Sequence, residues 1–482
     1  MKKEVKGNSI SASMIFKTLE RYIVMGVQMI VQIVIARILS PEDYGVVSMM
    51  MVFISIATIF IQNGFNMSLV QKEKADAIDY STALLINVVV GLVLYSVIAL
   101  SSPLIAKFYN QPYITVCLPV MALLLVFGSV NSIQIAIATR QMQFRNLFKC
   151  NVVASFLSGI IGIVIALLGG GIWALVFQQL SSCIILSIML FAQQHWKPSL
   201  KFNKKSASFM FSFGWKLLAA GLLRQFYTEL NSLVIGKKYT SSDLAFYTKG
   251  HQFPKYVTMG VDSSISTVML SAFSKNQNNL AALHEQIKKT ISINSYLVIP
   301  CLGILVMVAT PLVHLLLTDK WLPIVPFMQI CCISCVTHPI SAAQIQAITA
   351  VGRSGIRLKI ELIKKSIGLA FLIVAIPYGP IIIAISAAVA EIIGLIINAF
   401  AGKKATGYPL SHLVTDIFPS LMLSFVMMIG MYWIGKFTLS PIYMLIVQTI
   451  AGLVIYLGLS SVFHIYGFEY MKKFIYSKIS KE

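Results

Sequence analysis

Ionisable side chains are rare inside the apolar stretches of this chain, so each one that occurs there is informative. Arg224 lies near the middle of one such stretch, with Gln225, Glu229 and Asn231 close by. Lys17, Glu20 and Arg21 lie toward one end of another, and Lys17 and Arg21 are one helical turn apart, hence on one face. Lys216 opens the stretch that holds Arg224, and the acids Asp262 and Glu391 sit in two further stretches. A guanidinium at mid-helix costs about 2.5–3.5 kcal/mol on insertion scales, so it normally faces a cavity or a partner. The chemistry such residues offer is binding. An anionic headgroup such as a pyrophosphate cannot cross bare hydrocarbon unpaired. Fixed cations replace its lost hydration with charge-assisted hydrogen bonds, and the planar fork of Arg donates to phosphate in two directions.

Each of these residues also has a plainer role open to it. Arg224 either lines a cavity or forms a structural pair with Glu229 or Glu391. Lys17 and Arg21 either line the same cavity or snorkel to the interface, and Lys216 either joins them as a cavity cation or is only interfacial. Asp262 and Glu391 either take up a coupling proton or sodium ion or neutralise a buried Arg. No cofactor is implied. Cys332 and Cys335 form a CxxC, but no second ligand pair accompanies them, and all seven cysteines sit in or beside apolar stretches. They read as small buried apolar residues rather than a metal or redox site.

The elements that must position these groups are membrane helices. The chain has 482 residues, 57% of them hydrophobic and 11% charged, with a mean hydropathy of +0.82. Fourteen apolar stretches fill it, at 13–36, 44–68, 81–106, 114–138, 150–168, 172–193, 214–236, 256–273, 291–317, 323–350, 360–377, 380–401, 414–435 and 441–463. A hydrocarbon core of roughly 30 Å needs about 20 apolar residues in a helix, and continuous apolar runs mean helices, not a barrel. The predicted fold is therefore an all-α integral membrane protein.

The net charge of +21 suggests nucleic acid until its distribution is followed. Both tails and the even-numbered connections hold about 26 of the 38 Lys and Arg, which places both termini in the cytoplasm and argues for a cytoplasmic-membrane protein. Clusters such as Lys201, Lys204 and Lys205, or Arg353, Arg357, Lys359, Lys364 and Lys365, read as topogenic and anionic-lipid contacts. No cleavable signal is evident, because the first span is too long for one.

An internal repeat of about 200 residues organises the chain. Ala36 to Asp43 lines up with Gly236 to Asp243, and Gln134 to Arg140 echoes Gln344 to Ala350. Six spans per copy give both copies one orientation, a parallel repeat with the substrate site expected between the copies. The predicted domains are 1–200, 201–410 and an added 411–482 with two further spans and an amphipathic tail. Ser40 and Asp43 have capping-box spacing with Pro41 at the first helical position, and Thr240 and Asp243 repeat it. The acidic pair Glu42-Asp43 thus reads as a helix start; its other reading is a catalytic pair in a membrane glycosyltransferase. Gly169-Gly170-Gly171 and Tyr378-Gly379-Pro380 mark tight hairpin turns. Phe202 to Phe213 and the tail from Phe468 to Ile479 read as helices lying at the membrane surface.

On these residues a family resemblance can be stated. Leu39-Ser40-Pro41-Glu42-Asp43-Tyr44-Gly45, then a long apolar span, then Leu69-Val70-Gln71-Lys72, resembles the opening of Wzx-like polysaccharide transporters of the multidrug/oligosaccharidyl-lipid/polysaccharide exporter superfamily. The resemblance implies a flippase for undecaprenyl-pyrophosphate-linked oligosaccharide, working by alternating access, for O-antigen, capsule or exopolysaccharide. It implies a cationic central cavity, and Arg21 and Arg224, on the first helices of the two copies, match where such cations lie. The implied partners are the lipid-linked oligosaccharide, membrane lipids, and polysaccharide polymerase and assembly proteins. Other members of the superfamily, a peptidoglycan-precursor flippase or a drug/cation antiporter, are the nearest alternatives. The antiporter calls for acidic lumen residues, whereas the groups here are basic. An integral-membrane glycosyltransferase or polymerase would need a sizeable outer loop with catalytic groups. The connections offer only Asp243, Lys249, His251 and Lys255, or Asp319-Lys320.

Overall fold

The computed structural model describes residues 7–63, 69, 76–193, 199, 202–259, 269, 273, 279–437 and 440–479. Among them the regular structure is helical, in the order α1 (Gly7–Ile38), α2 (Pro41–Asn63), α3 (Ala77–Tyr109), α4 (Tyr113–Arg140), α5 (Phe144–Leu167), α6 (Ile172–Gln193), α7 (Lys204–Lys238) and α8 (Ser241–Gly250). The second half continues with α9 (Leu280–Met307), α10 (Ala309–Leu317), α11 (Ile324–Ala350), α12 (Ser354–Ala375), α13 (Pro380–Thr406), α14 (Leu410–Ile434), α15 (Pro441–Val462) and α16 (Tyr466–Ile479).

Ten of these helices are long and apolar enough to cross a membrane, and α7 is an eleventh if its two segments, bent by 43°, form one span. The remaining three expected spans, 13–36, 256–273 and 360–377, fall on α1, on the helical run 252–259 that follows α8, and on α12. In α1 the described apolar part is the shorter Tyr22–Ile38, and beyond the helical run 252–259 most of the expected span 256–273 lies outside the described residues. In α12 the charges Arg357, Lys359, Glu361, Lys364 and Lys365 break the apolar run. Helices overrun the apolar windows because water tolerates a polar helical turn. α9 starts at Leu280, well before the expected 291, on the cap of Asn279, whose side chain accepts from the Ala282 amide at 3.2 Å. The expected span 291–317 is instead two helices, broken at Val308, where Pro311 has no N–H to bond back into the preceding turn.

Both hairpin turns form as the glycines predict. Gly169 and Gly171 adopt φ of 81° and 50° between α5 and α6, and Gly379 adopts 108° before α13. The repeat is visible in backbone detail. At the end of α4 the amides of Gln141, Met142 and Gln143 bond the carbonyls of Ile137, Thr139 and Ala138 at 2.9, 3.1 and 2.8 Å. At the end of α11 the amides of Val351, Gly352 and Arg353 bond Ala347, Thr349 and Ile348 at 3.2, 3.0 and 3.3 Å. Met142 and Gly352 both take the left-handed conformation there.

The chain packs as two compact units, Met1–Ala245 and Phe246–Glu482. Packing and repeat therefore divide the chain differently, since α7, the first helix of the second repeat, packs on α2 and α3. In the first unit α3 pairs with α4, α5 with α6, and α1 lies on α5, around a core that includes Ile35, Met49, Met50, Leu118, Met121 and Ile133. In the second unit α11 packs on α9 and α13, α12 on α13, and α14 on α9 and α15. Cys331, Cys332 and Cys335 lie in its core against Val298 and Leu302, with the sulfurs of Cys331 and Cys335 3.8 Å apart. The tail helix α16 docks on protein as well as offering a surface face. Gly467 meets the Tyr296 ring, Phe468 and Met471 join the cluster around Tyr296 and Met427, and Lys289 stands 4.3 Å over the Tyr470 ring.

Candidate functional site: a cationic stripe on the seventh helix

The start of α7 is held by a polar clasp. Asn203 caps the helix, accepting from the amides of Lys205 and Ser206 at 3.0 and 3.4 Å. The Ser206 hydroxyl donates to Asp79, a carboxylate only 3% exposed, which also accepts from the Asp76 amide at 2.9 Å at the head of α3. Thr82 accepts from the Asn203 amide at 3.0 Å, and Ser81 accepts from the Ser199 amide at 3.2 Å. Met210, one turn after Ser206, is buried against Leu69, Ala83, Ile133 and Ile137. The segment expected to lie at the membrane surface is thus the first limb of the bent α7, fixed to the head of α3 by this clasp.

Beyond the bend the polar residues of α7 separate by face. At 100° per residue, Lys216, Ala220, Arg224 and Thr228 fall within one arc of about 120°, and Gln225 and Glu229 fall outside it. The structure gives these arcs opposite surroundings. Glu229 is half-buried against α2, accepting from Ser55 at 3.0 Å and from Gln225 Nε2 at 2.9 Å. Lys216, Arg224 and Thr228 are exposed, with the Thr228 hydroxyl turned back to the Arg224 carbonyl at 3.0 Å. Among the described residues the Arg224 guanidinium forms no ion pair with Glu229. Within the second unit Glu391 meets Lys364, at 3.7 Å. The stripe thus holds two uncovered cations about 12 Å apart along the helix, with a small residue and a hydroxyl beside them. Such a surface donates charge-assisted hydrogen bonds to phosphate oxygens.

The other expected groups are placed less completely. Lys17, Glu20 and Arg21 lie within α1, and Lys17 and Arg21 share a helix face by position; their side chains are outside the description. Asp262 lies outside the described residues. Two cations belong to helices although the sequence reading put them in an outer connection: Lys249 is in α8, and Lys255 is in the helical run 252–259 that follows it, with its side chain exposed. The apolar window starts too late to show this. The repeat could have shown it, because the Thr240–Asp243 cap starts α8 as the Ser40–Asp43 cap starts α2. Lys364, read as topogenic, is the eleventh of the 22 residues of α12.

The paired caps account for the acidic motif without chemistry. The Asp43 carboxylate accepts from the Ser40 amide and hydroxyl at 3.2 and 2.8 Å, and the Asp43 amide donates to Ser40 Oγ at 3.2 Å. Thr240 and Asp243 repeat the set at 3.1, 2.7 and 3.1 Å. Replacing Asp43 or Asp243 by Ala is expected to cost about 1 kcal/mol each, as for any lost helix cap, and to lower thermal stability while leaving activity per folded molecule unchanged. A catalytic carboxylate would show the reverse, full stability and no activity.

Comparison with known proteins is consistent with this geometry. Two relatives are the teichuronic acid biosynthesis protein TuaB of Bacillus subtilis, 23% identical over 57% of this chain, and the lipopolysaccharide biosynthesis protein WzxC of Escherichia coli K12, 22% identical over 64%. A third is the succinoglycan biosynthesis transport protein ExoT of Rhizobium meliloti, 21% identical over 66% of this chain. The matches span 57%, 64% and 64% of those three proteins' own lengths. Among solved structures, the lipid II flippase MurJ in an inward closed conformation superposes with a TM-score of 0.75 at 16% identity, covering 93% of this chain and 99% of that one. An inward-facing multidrug MATE transporter of the MOP superfamily gives 0.62 at 13%, covering 79% and 94%. These likenesses show a shared fold. The family model described as "Polysaccharide biosynthesis protein" matches residues 34–326, more than half of the sequence and including the capped joints and the whole of α7, and the chain belongs to that family.

Proposed function

We propose that this chain is a flippase, not an enzyme, that moves undecaprenyl-pyrophosphate-linked oligosaccharide across the cytoplasmic membrane by alternating access, for lipopolysaccharide O-antigen, capsule or exopolysaccharide. The observation that carries the reading is the uncovered stripe of Lys216 and Arg224 on a membrane helix of a polysaccharide biosynthesis family member. An exposed guanidinium at that depth is costly unless an anion uses it. The pyrophosphate binds Arg224 and Lys216, joined by Arg21 and Lys17 from the equivalent helix α1, while the prenyl chain stays in lipid. Glu20, Glu229 and Asp262 balance these charges or take part in coupling. The charge distribution supports a multi-pass protein with both termini in the cytoplasm. The relatives, named as biosynthesis and transport proteins for lipopolysaccharide and succinoglycan, support a lipid-linked glycan as cargo and a polymerase and assembly proteins as neighbours in the membrane.

Purified protein in liposomes provides the test. Prenyl-pyrophosphate-linked oligosaccharide loaded in one leaflet should reach the other several-fold faster than in protein-free vesicles. Movement no faster than the vesicle background, or lengthening of the glycan, overturns the proposal. A lipid carrying the peptidoglycan precursor serves as the competing substrate and should move more slowly.

A further inference from the structure

Two thiols in the second unit stand together without a part in the transport reading. Cys331 and Cys335 are the eighth and twelfth of the 27 residues of α11, one helical turn apart, and their sulfurs are 3.8 Å from each other. Of the CxxC in the sequence only Cys335 takes part; its partner is Cys331, four residues back. Both side chains are buried, 2% and 5% exposed, among Val298 and Leu302 of α9 and Val257 of the run 252–259. The Cys331 sulfur also lies 4.0 Å from the His251 carbonyl oxygen.

The helix restricts what such a pair can become. Residues four apart on a helix keep their Cβ atoms about 5–6 Å apart, whereas a disulfide needs them about 3.5–4.5 Å apart. The backbone of α11 therefore holds the pair as a standing dithiol. A metal ion that needs three or four ligands lacks them, because among the described residues no group of three or more His, Cys, Asp or Glu side chains stands together for one. Two neighbouring thiols do complete the shell of an element that takes two sulfurs at close to a right angle, and trivalent arsenic is such an element. Sulfurs this near need to close only slightly. The turn has some give, since Pro339 has no N–H to bond the Cys335 carbonyl. Linear two-coordinate ions hold their sulfurs on opposite sides and would force the pair apart. Burial selects further, because a charged species is penalised in an apolar core and an uncharged one is not.

We propose that Cys331 and Cys335 form a dithiol site for uncharged trivalent arsenicals. With an arsenoxide each thiol forms one As–S bond, and the As=O bond is lost. The two thiol protons leave with that oxygen as one water. Arsenic stays trivalent, so no oxidant or reductant takes part. The second bond forms within one chain, so the adduct outlasts one made by a single thiol. This inference goes beyond the transport reading and does not rest on it, because its test reads capture of arsenic and not movement of a lipid.

The test adds phenylarsine oxide to the full-length protein in detergent, with excess 2-mercaptoethanol to strip arsenic from single thiols. The intact chain is then weighed by native mass spectrometry. The wild type should retain one phenylarsenic group per chain, and 2,3-dimercaptopropanol, a competing dithiol, should remove it. Cys331→Ser and Cys335→Ser should each retain none, while Cys332→Ser retains one as the wild type does. No retention by the wild type, retention by Cys331→Ser or Cys335→Ser, or loss in Cys332→Ser overturns the proposal. Should a serine variant fail to fold, alanine at the same position is read in its place with the same expectations. X-ray absorption at the arsenic edge of the wild-type adduct needs no variant: it should show two sulfur neighbours, and one or none overturns the proposal equally.

Discussion

Arg224→Glu is expected to lower export of the lipid-linked glycan at least about tenfold while the protein still folds and reaches the membrane. The expectation follows from the face on which the residue sits. Arg224 is uncovered and its packed neighbour Glu229 is already engaged by Ser55 and Gln225, so losing the guanidinium strands no buried partner. The substituted carboxylate instead repels the phosphate oxygens that the stripe is proposed to hold. Arg224→Lys keeps the charge but not the two-directional fork, and should retain part of the activity. Arg224→Ala should fall between Lys and Glu. The measurement is surface glycan in cells, or flipping in liposomes, normalised to folded protein. Wild-type export by Arg224→Glu would show that the cation is peripheral, and a loss matched by loss of folded protein would show that it is structural.

Gly45→Ala should be among the most destabilising single-methyl changes in the first unit. A Cβ built on Gly45 would lie 1.9 Å from the Ser241 carbonyl oxygen, 2.3 Å from its carbon and 2.8 Å from its Cα. The obstacle is backbone at a capped helix start, which has no rotamer to yield, so either α2 or α8 must move. Overpacking of this kind costs about 3 kcal/mol or more, which lowers the melting temperature by roughly 6–12 °C and cuts the yield of folded protein. Gly26→Ala is the internal control. Nothing lies within 4 Å of its Cβ position, and the exchange removes a helical glycine, so it should be neutral or mildly stabilising. Equal stability of the two variants would show that the joint between residues 45 and 241 is not packed as described.

The same joint explains why the opening motif was recognisable without performing chemistry. Leu39 and Tyr44 are buried, the Tyr44 hydroxyl donates to the Gln32 carbonyl at 3.3 Å, Ser40 and Asp43 cap α2, Pro41 occupies a position that needs no N–H, and Gly45 admits Ser241. The motif is diagnostic because a helix start packed this tightly tolerates few residue types.

The sequence by itself determined what local rules govern. Apolar runs located the spans, since hydrocarbon admits only internally bonded backbone. Capping spacing located the starts of α2 and α8, glycines located the hairpin turns, and the offset between similar segments revealed the repeat. Each of these is decided by residues within a few positions of one another. Tertiary structure decided which face of each helix is covered and by what. Hydropathy reports depth in the membrane and is silent on direction around the helix axis. It therefore could not say that Glu229 turns to Ser55, 174 residues away, while Arg224 stays open. Nor could it say that Lys364, one of five similar basic residues in a row of charges, threads past Gly394 to Glu391. Those outcomes depend on helices meeting across long stretches of chain, where the space left by one glycine and the reach of one side chain choose the partner.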